Sequence, residues 1–203
     1  MRCAPTHQLQ GRKPLRKNAK IDGGPYWTSI RLQITGERCG CRRKTIRSWI
    51  SILEASFILF KLPPYSENFG KRVIKSPKYY LTEVGLLCFL FGIREHSQIS
   101  RDPLVGQICK NIVVIEALRT GYNRGHLADL YYFRDSKGNE VDLLAQCGRE
   151  LQIIEIKSST TFKMEHLKGL RRFQTISDTI LNSILAYNGV RQELSDGVLA
   201  LNY

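Results

Sequence analysis

Charged residues stand inside two sequences that are otherwise typical of buried strands. NEVDLLAQ carries Glu140 and Asp142, and ELQIIEIKSS carries Glu155 and Lys157. Charges among valine, leucine and isoleucine are costly to bury unless they are paired or hold a cation. The pattern therefore predicts either a structural ion-pair cluster, in which Lys157 neutralises one of the carboxylates, or a metal site with catalytic chemistry.

The spacing of these charges predicts that they share one face of a sheet, because alternate residues of a strand point to the same side. If Cys147 and Gly148 form a two-residue turn, Asp142 becomes a diagonal neighbour of Glu155 on the adjacent strand. Diagonal neighbours lie roughly 7–8 Å apart, close enough for two carboxylates to hold one hard cation. A slip of one residue in the pairing would destroy this arrangement.

Glu116 is the candidate third carboxylate. It follows Val105, Cys109 and Ile112 at helical spacing, so we expect it on the apolar stripe that faces the sheet. A divalent ion relieves the repulsion between neighbouring carboxylates, and Lys157 would orient or deprotonate a water or neutralise a developing phosphate charge. These features predict phosphodiester hydrolysis with Mg²⁺ or Mn²⁺ as the cofactor. The expected catalytic residues are Glu116, Asp142, Glu155 and Lys157, of which the three carboxylates are the expected metal ligands.

A basic helix followed by a basic hairpin is predicted ahead of these strands. CRRKTIRSWISILEASFILFKL places Ile46, Ile50, Leu53 and Phe57 on one helical stripe, and Pro63-Pro64 ends the pattern. Two short strands are expected next, at 71–75 and 78–81. This order is typical of the recognition helix and wing of a winged helix. The predicted nucleic-acid contacts are Arg42, Arg43, Lys44, Arg47, Lys71, Arg72 and Lys75.

The remaining elements favour an α/β (α+β) fold. VGLLCFLFGI predicts a helix closed by Gly92, and PLVGQICKNIVVIEALRTGY predicts a second helix capped by Gly121. Three strands, the amphipathic helix MEHLKGLRRFQTI and two final strands, LNSILAYNG and GVLALNY, should follow. The sequence contains no GxxxxGK[ST] phosphate loop, so no ATPase activity is expected from this chain.

The 203 residues carry a net charge of +13, which is concentrated near the start of the chain. Residues 1–50 contain twelve Lys or Arg against two acidic residues. Such an excess attracts polyanions, and DNA is the partner that we expect. Residues 1–36 show little apolar periodicity and are predicted to be disordered. The cysteine spacing fits no disulfide framework and the apolar runs are short, so a cytoplasmic protein without a membrane span is expected.

The order helix-Glu116, GNEVDLL and IIEIKSS resembles the PD-(D/E)xK restriction-endonuclease-like superfamily. More closely, KLPPYSENFGKRVIKSPKYYLTEVGLL, RDSKGNEVDLL and IEIKSS look like the carboxy-terminal half of a family of prokaryotic AAA-type ATPases. Those proteins carry an ATPase domain, a winged-helix segment and then a nuclease-like domain of unknown function. The resemblance covers about residues 45–173. It implies a restriction-endonuclease-like mixed sheet flanked by helices, with a winged-helix-like segment at 39–93 and a nuclease-like domain at 94–203. Residues 1–38 are expected to form a basic, disordered segment ahead of them.

Three functions from different classes agree with these observations. The first is a metal-dependent nuclease, a remnant that lacks its ATPase domain. The second is a catalytically inactive nuclease-like module that binds DNA or a protein, including an ATPase domain supplied in trans. The third is a regulatory winged helix in which the basic residues make the contacts that matter.

Overall fold

The computed structural model describes residues 42–66, 76–127 and 129–203, and within them the fold is mixed α/β. The helices are α1 (Arg43–Ala55), α2 (Val84–Leu90), α3 (His96–Ile99), α4 (Val105–Asn123) and α5 (Lys168–Gln174). The strands are β1 (Leu59–Leu62), β2 (Lys78–Leu81), β3 (Leu130–Arg134), β4 (Glu140–Cys147), β5 (Glu150–Lys157), β6 (Ile180–Tyr187), β7 (Gln192–Glu193) and β8 (Val198–Asn202). Short 3₁₀ turns occupy Met164–Leu167 and Ser195–Gly197.

Six of the strands form one mixed sheet in the order β3-β4-β5-β6-β8-β7. Strands β3, β4 and β5 are antiparallel, whereas β6 runs parallel to β5 and β8 runs parallel to β6. A parallel neighbour requires a crossover connection, and α5 supplies it between β5 and β6. The predicted mixed sheet with helices around it is therefore confirmed at this level of detail.

Both faces of the sheet are buried, which explains why its central strands read as nearly continuous apolar runs. On one face, Leu170 and Phe173 of α5 pack with Leu144 and Ile153. On the other face, α4 packs against the alternate residues of the same strands. That second core contains Val114, Ile115, Leu118, Leu143, Ile154 and Ile156. The charged residues of β4 and β5 thus lie between two apolar layers.

The first helix is shorter than its sequence pattern predicts. Helix α1 ends at Ala55, because Phe57 adopts a left-handed conformation (φ 55°) that reverses the chain. Ile46 and Ile50 are buried as expected, whereas Phe57 is exposed. The prediction that Phe57 continues the buried stripe is therefore wrong.

Strand β2 forms where the sequence predicted it, but its antiparallel partner is β1. Residues 59–62 had been assigned to the preceding helix, and they become a strand because the chain turns back at Phe57. The predicted strand at 71–75, with Lys71, Arg72 and Lys75, lies outside the described residues.

The β1–β2 pair shares a core with the six-stranded sheet. Leu62 and Tyr80 belong to the cluster built around α4. The side-chain amide of Asn111 in α4 donates to the Leu81 carbonyl (2.7 Å) and accepts from the Leu81 N–H (2.9 Å). These contacts fix β2 to α4, and Lys78 at the start of β2 reaches Glu140 of β4.

Two further helices follow the sequence predictions. Helix α2 is followed by Gly92 with a positive φ of 72°, as expected for a C-terminal glycine. Helix α4 continues past Gly121 to Asn123, and Gly125 (φ 74°) follows it instead. In the part of the chain that the structure describes, each helix is too short or too polar to cross a bilayer.

Candidate functional site

The candidate site lies where β4 and β5 separate. Their antiparallel pairing ends at Leu143 opposite Ile154, although both strands continue. At the same point β4 bulges, since its two residues Asp142 and Leu143 stand opposite the single residue Tyr132 of β3. A β-bulge interrupts a ladder and redirects a side chain. Asp142 is the residue that this bulge releases from regular pairing.

The carboxylate of Asp142 fills the gap between the two strands and is only 1% exposed. Its Oδ2 accepts a hydrogen bond of 3.1 Å from the backbone N–H of Ile156. Its Oδ1 forms an ion pair with the Lys110 ammonium of α4. Both oxygens of Asp142 are therefore held, one by the backbone of β5 and one by a lysine.

The observed register differs from the predicted one. Gly148, with φ 65°, begins the hairpin turn, so Cys147 pairs with Glu150. A tight two-residue turn requires a positive φ at its first residue, which glycine adopts and cysteine disfavours. The pairing is consequently displaced by two residues, and Asp142 and Glu155 are not the diagonal neighbours that the sequence predicted. The bulge also ends the simple alternation on which the shared face of Glu140 and Asp142 depended.

Each carboxylate of the site has a basic partner. Lys157 donates to Glu155 Oε1 at 2.6 Å along β5. Lys78 donates to Glu140 at 2.6 Å, and the Arg134 guanidinium lies 3.5 Å from the other Glu140 oxygen. With Lys110 included, four cations of the described residues surround three carboxylates. This is the ion-pair cluster that the sequence left open as an alternative, with more partners than Lys157 alone.

Glu116 does not join the site. It lies on the exposed face of α4, where its carboxylate pairs with Arg119 at 3.0 Å. The buried face of the helix is formed instead by Ile108, Asn111 and Ile115. The expectation that Glu116 lies on the stripe that faces the sheet is wrong, because four positions of an apolar helix do not determine which face packs on the sheet.

Helix α5 closely approaches the Glu140 backbone and the Glu155 carboxylate at Gly169. A Cβ at this position would lie 2.1 Å from the backbone oxygen of Glu140 and 3.2 Å from Glu155 Oε2. Only a residue without a side chain permits this approach. The helix thus closes the site from above and keeps Glu155 out of water, with the residue 7% exposed.

The electrostatic environment separates the two central carboxylates. Burial, and then the charge of Asp142, raise the pKa of Glu155 to about 7, against the opposing effect of Lys157. Burial alone would raise the pKa of Asp142 as well, but Lys110, Lys78 and Lys157 together lower it below its ordinary value. Asp142 is therefore the permanent anion, and Glu155 changes its charge near neutral pH.

In EDTA, the parent protein should lose stability between pH 4.5 and 7 through Glu155. Its folded-state pKa lies above its unfolded value of 4.5, so in this window the folded protein retains a proton that the unfolded chain has released. The contribution of Glu155 to the free energy of unfolding is fully present below pH 4.5. It is lost as the pH rises through 7. A Glu155→Gln variant should lack this decline and be more stable at pH 8 by about 3 kcal/mol.

The measurement is urea unfolding of parent and variant at several pH values. The difference between the two proteins is the relevant quantity, because His166 acts in the opposite direction. Burial lowers the pKa of His166, so its contribution to stability rises with pH. Parallel pH profiles for the parent and Glu155→Gln would contradict the prediction.

A divalent cation fits part of this arrangement. Glu155 Oε2 is buried and receives no hydrogen bond from the described residues. Asp142 is a fixed anion beside it, and carboxylate oxygens are the ligands of Mg²⁺ and Mn²⁺. Among the described residues, however, no group of three or more His, Cys, Asp or Glu side chains is arranged to hold a metal. The fit is to a site with two protein carboxylates.

Sequence reasoning missed Lys78 and Lys110. Lys78 is 2% exposed and lies 4.5 Å from the centre of the Tyr132 ring. Lys110 precedes the buried Val114 by one helical turn, so its position inside an apolar run was a signal equal to that of Glu116. Both lysines come from elements outside the charged strands, and their partners are set by tertiary packing.

The predicted nucleic-acid contacts that the structure describes lie together at the start of α1. Arg42, Arg43, Lys44 and Arg47 are all exposed there. The first turn of α1 contains no acidic residue. Cations at a helix N-terminus are unfavourable for the helix itself, since they face the positive end of its dipole. The basic surface is therefore formed at some cost to α1.

Comparisons with known proteins identify domains but no activity. Residues 105–203 match the model of a domain of unknown function (DUF4143), and residues 30–97 match a second such model (DUF8612). The chain is 30% identical over 159 residues to uncharacterized proteins of Mycobacterium bovis and Mycobacterium tuberculosis, a match covering 77% of this chain and 34% of each relative. It is 29% identical over 124 residues to an uncharacterized protein of Haemophilus influenzae, which covers 61% of this chain and 27% of that relative. The chain thus spans about a third of the length of these relatives. No solved structure matches it.

Proposed function

We propose that this chain carries a divalent-metal-dependent phosphodiesterase site of the nuclease type. Asp142 and Glu155 are its proposed ligands for Mg²⁺ or Mn²⁺, and Lys157 is its proposed phosphate partner. The observation that carries the proposal is Glu155 Oε2, a buried oxygen that receives no hydrogen bond from the described residues and stands near a second carboxylate. A bound cation would give this oxygen a partner and would reduce the repulsion between the two carboxylates.

The fold is compatible with this assignment. A helix, three antiparallel strands, a second helix and a strand parallel to the third form a mixed sheet flanked by helices. A mixed sheet flanked by helices is the fold that the resemblance to PD-(D/E)xK nucleases implies. The match of residues 105–203 to DUF4143 covers all of these elements.

The side chains divide the proposed chemistry among them. Asp142 is oriented by the Ile156 N–H, which donates to Oδ2, while its Oδ1 pairs with Lys110. Lys157 is paired with Glu155 but remains 32% exposed, which lets it reach a substrate from the solvent side. There it would neutralise charge on a phosphate oxygen or orient the attacking water. When bound, the metal ion supplies Lewis-acid stabilisation of the phosphodiester.

DNA is the substrate class that we propose. The exposed residues Arg42, Arg43, Lys44 and Arg47 support it, because clustered cations bind the phosphate backbone. The regulatory winged helix remains a proposal on the same residues. A partner protein or an ATPase domain acting in trans is likewise a proposal, since about two thirds of each mycobacterial relative lies outside the match.

A second candidate function is a nuclease-like module that binds DNA or protein without cleaving it. The specific observation in its favour is charge balance. Four basic side chains already neutralise Glu140, Asp142 and Glu155, so the described cluster requires no metal to offset its charge. The two candidates differ in whether a divalent ion stabilises the folded protein.

The proposal is tested by thermal unfolding with Mn²⁺, together with a DNA-cleavage assay. At a Mn²⁺ concentration of about 100 times Kd, the parent Tm should rise by roughly 5 to 10 °C. Glu155→Gln should lose that rise and any cleavage, even though it is expected to be more stable than the parent in EDTA at pH 8. Folding failure therefore cannot explain the loss.

Glu116→Gln is the matched control, because Glu116 is a carboxylate exposed on the far side of α4. It should retain the full Mn²⁺ effect. If neither Mn²⁺ nor Mg²⁺ changed the Tm of the parent protein, the metal-dependent site would be excluded and the non-catalytic module favoured.

A further inference from the structure

We propose that Lys110 is an internal counter-ion that occupies the metal-binding oxygen of Asp142 and must be displaced when a divalent cation binds. This inference rests on the proposed function. It adds a regulatory residue to the site and predicts that the parent protein binds metal more weakly than its carboxylates alone would.

The hydrogen bonds of Asp142 determine which oxygen a cation can use. Oδ2 accepts from the Ile156 N–H at the point where strand pairing ends, so losing that bond would leave a backbone donor unpaired. Oδ1 is held by Lys110 alone among the described residues. A cation can therefore bind Oδ1 at a lower free-energy cost than Oδ2. To do so it must displace the Lys110 ammonium.

Lys110 is placed to leave. Its side chain is 17% exposed, whereas that of Asp142 is 2% exposed, so the lysine side chain is in partial contact with solvent and the carboxylate is not. Its four-carbon stem can swing outward without moving the helix. The backbone of α4 is fixed at the next residue, because the Asn111 amide holds both polar groups of Leu81. Displacement would thus be a side-chain movement.

The other two lysines of the site do not occupy a metal-binding oxygen in this way. Lys157 is two residues from its partner on the same strand and pairs with Oε1 of Glu155, so it does not occupy Oε2, the oxygen proposed for the metal. Lys78 is 2% exposed and pairs with Glu140. Lys110 comes from a separate element, contacts a proposed metal ligand directly and has a partly exposed side chain. A metal ion and the Lys110 ammonium therefore compete for one anion.

Calorimetric titration with Mn²⁺ at pH 8 tests this competition. Lys110→Met removes the ammonium and keeps the length of the side chain. It should bind Mn²⁺ about tenfold more tightly than the parent, a typical size for coupling between two interacting sites. Arg119→Met is the matched control, since it removes one positive charge from the exposed face of the same helix and should leave the affinity unchanged.

The outcomes separate the two proposals. Equal Mn²⁺ affinity in the parent and Lys110→Met would overturn the role of Lys110 and leave the proposed metal site standing. Absence of Mn²⁺ binding in every variant would overturn both.

A second measurement uses the parent protein and does not depend on the folding of any variant. Acetylation by an N-hydroxysuccinimide ester, followed by peptide mass spectrometry, reports how accessible each lysine is. Mn²⁺ should increase the rate at Lys110 several-fold relative to EDTA, because a displaced ammonium enters solvent. Lys78 should stay unreactive in both conditions and serves as the internal reference. An unchanged rate at Lys110 with Mn²⁺ bound would overturn the inference.

Discussion

Gly169→Ala is expected to lower the free energy of unfolding by about 3 kcal/mol, the upper part of the usual cost of overpacking. The new Cβ would lie 2.1 Å from the backbone oxygen of Glu140, and that oxygen belongs to β4 two residues before Asp142. Backbone of a central strand cannot yield as a flexible side chain does. Helix α5 must therefore move away from the sheet, which loosens the core around Leu170 and Phe173. Urea unfolding measures the loss.

Gly85→Ala is the control for this prediction. Gly85 also lies in a short helix, but a Cβ there would meet nothing within 4 Å. The change should stabilise the protein by roughly 0.5–1 kcal/mol, because alanine is the better helix former. If the two substitutions shifted stability alike, the close approach of α5 to the carboxylates would be refuted.

Most strands of the sheet could be predicted from the sequence because their signals are local. Turn residues mark the ends of β3 and β4, and dense aliphatic residues identify β5 and β6 as buried on both faces. The pairing register of β4 and β5 was harder to predict than the strands themselves. It depended on which residue begins the hairpin turn, and a shift of one position in the turn, from Cys147 to Gly148, displaced every partner by two.

The β-bulge at Asp142 could not be predicted, because nothing in NEVDLLAQ marks an extra residue. It depends on the strand opposite, where Tyr132 also pairs through its backbone with Pro63 and Tyr65. A bulge that arises from long-range packing produces no periodic pattern in the sequence from which it could be predicted.

The buried face of helix α4 could not be predicted from the sequence either. Its apolar residues surround most of the helix, so Glu116 and Lys110 were equally placed to face the sheet. Packing selected the face of Ile108, Asn111 and Ile115. The sequence therefore placed Asp142, Glu155 and Lys157 on the two strands where the structure has them, but it predicted the wrong residue of α4 to face the sheet.

Glu140→Gln should cost about 3 kcal/mol, because it leaves a buried lysine without its counter-ion. Lys78 is 2% exposed and donates to Glu140 at 2.6 Å. A glutamine can accept the hydrogen bond but cannot neutralise the charge. The Tyr132 ring, 4.5 Å from the ammonium, offsets only part of the loss. Unfolding in urea at pH 7 measures the change.

Two comparison variants show whether the cost comes from the uncompensated charge. Glu116→Gln breaks an ion pair in which both side chains are about half exposed, so it should change stability by roughly 0.5 kcal/mol or less. Adding Lys78→Met to Glu140→Gln removes the stranded cation, and a buried ion pair replaced by apolar groups is often close to neutral. The double variant should therefore recover most of the lost stability. If it were no more stable than Glu140→Gln alone, the loss would lie in the packing of β4, and the stabilising role of the Lys78–Glu140 pair would be rejected.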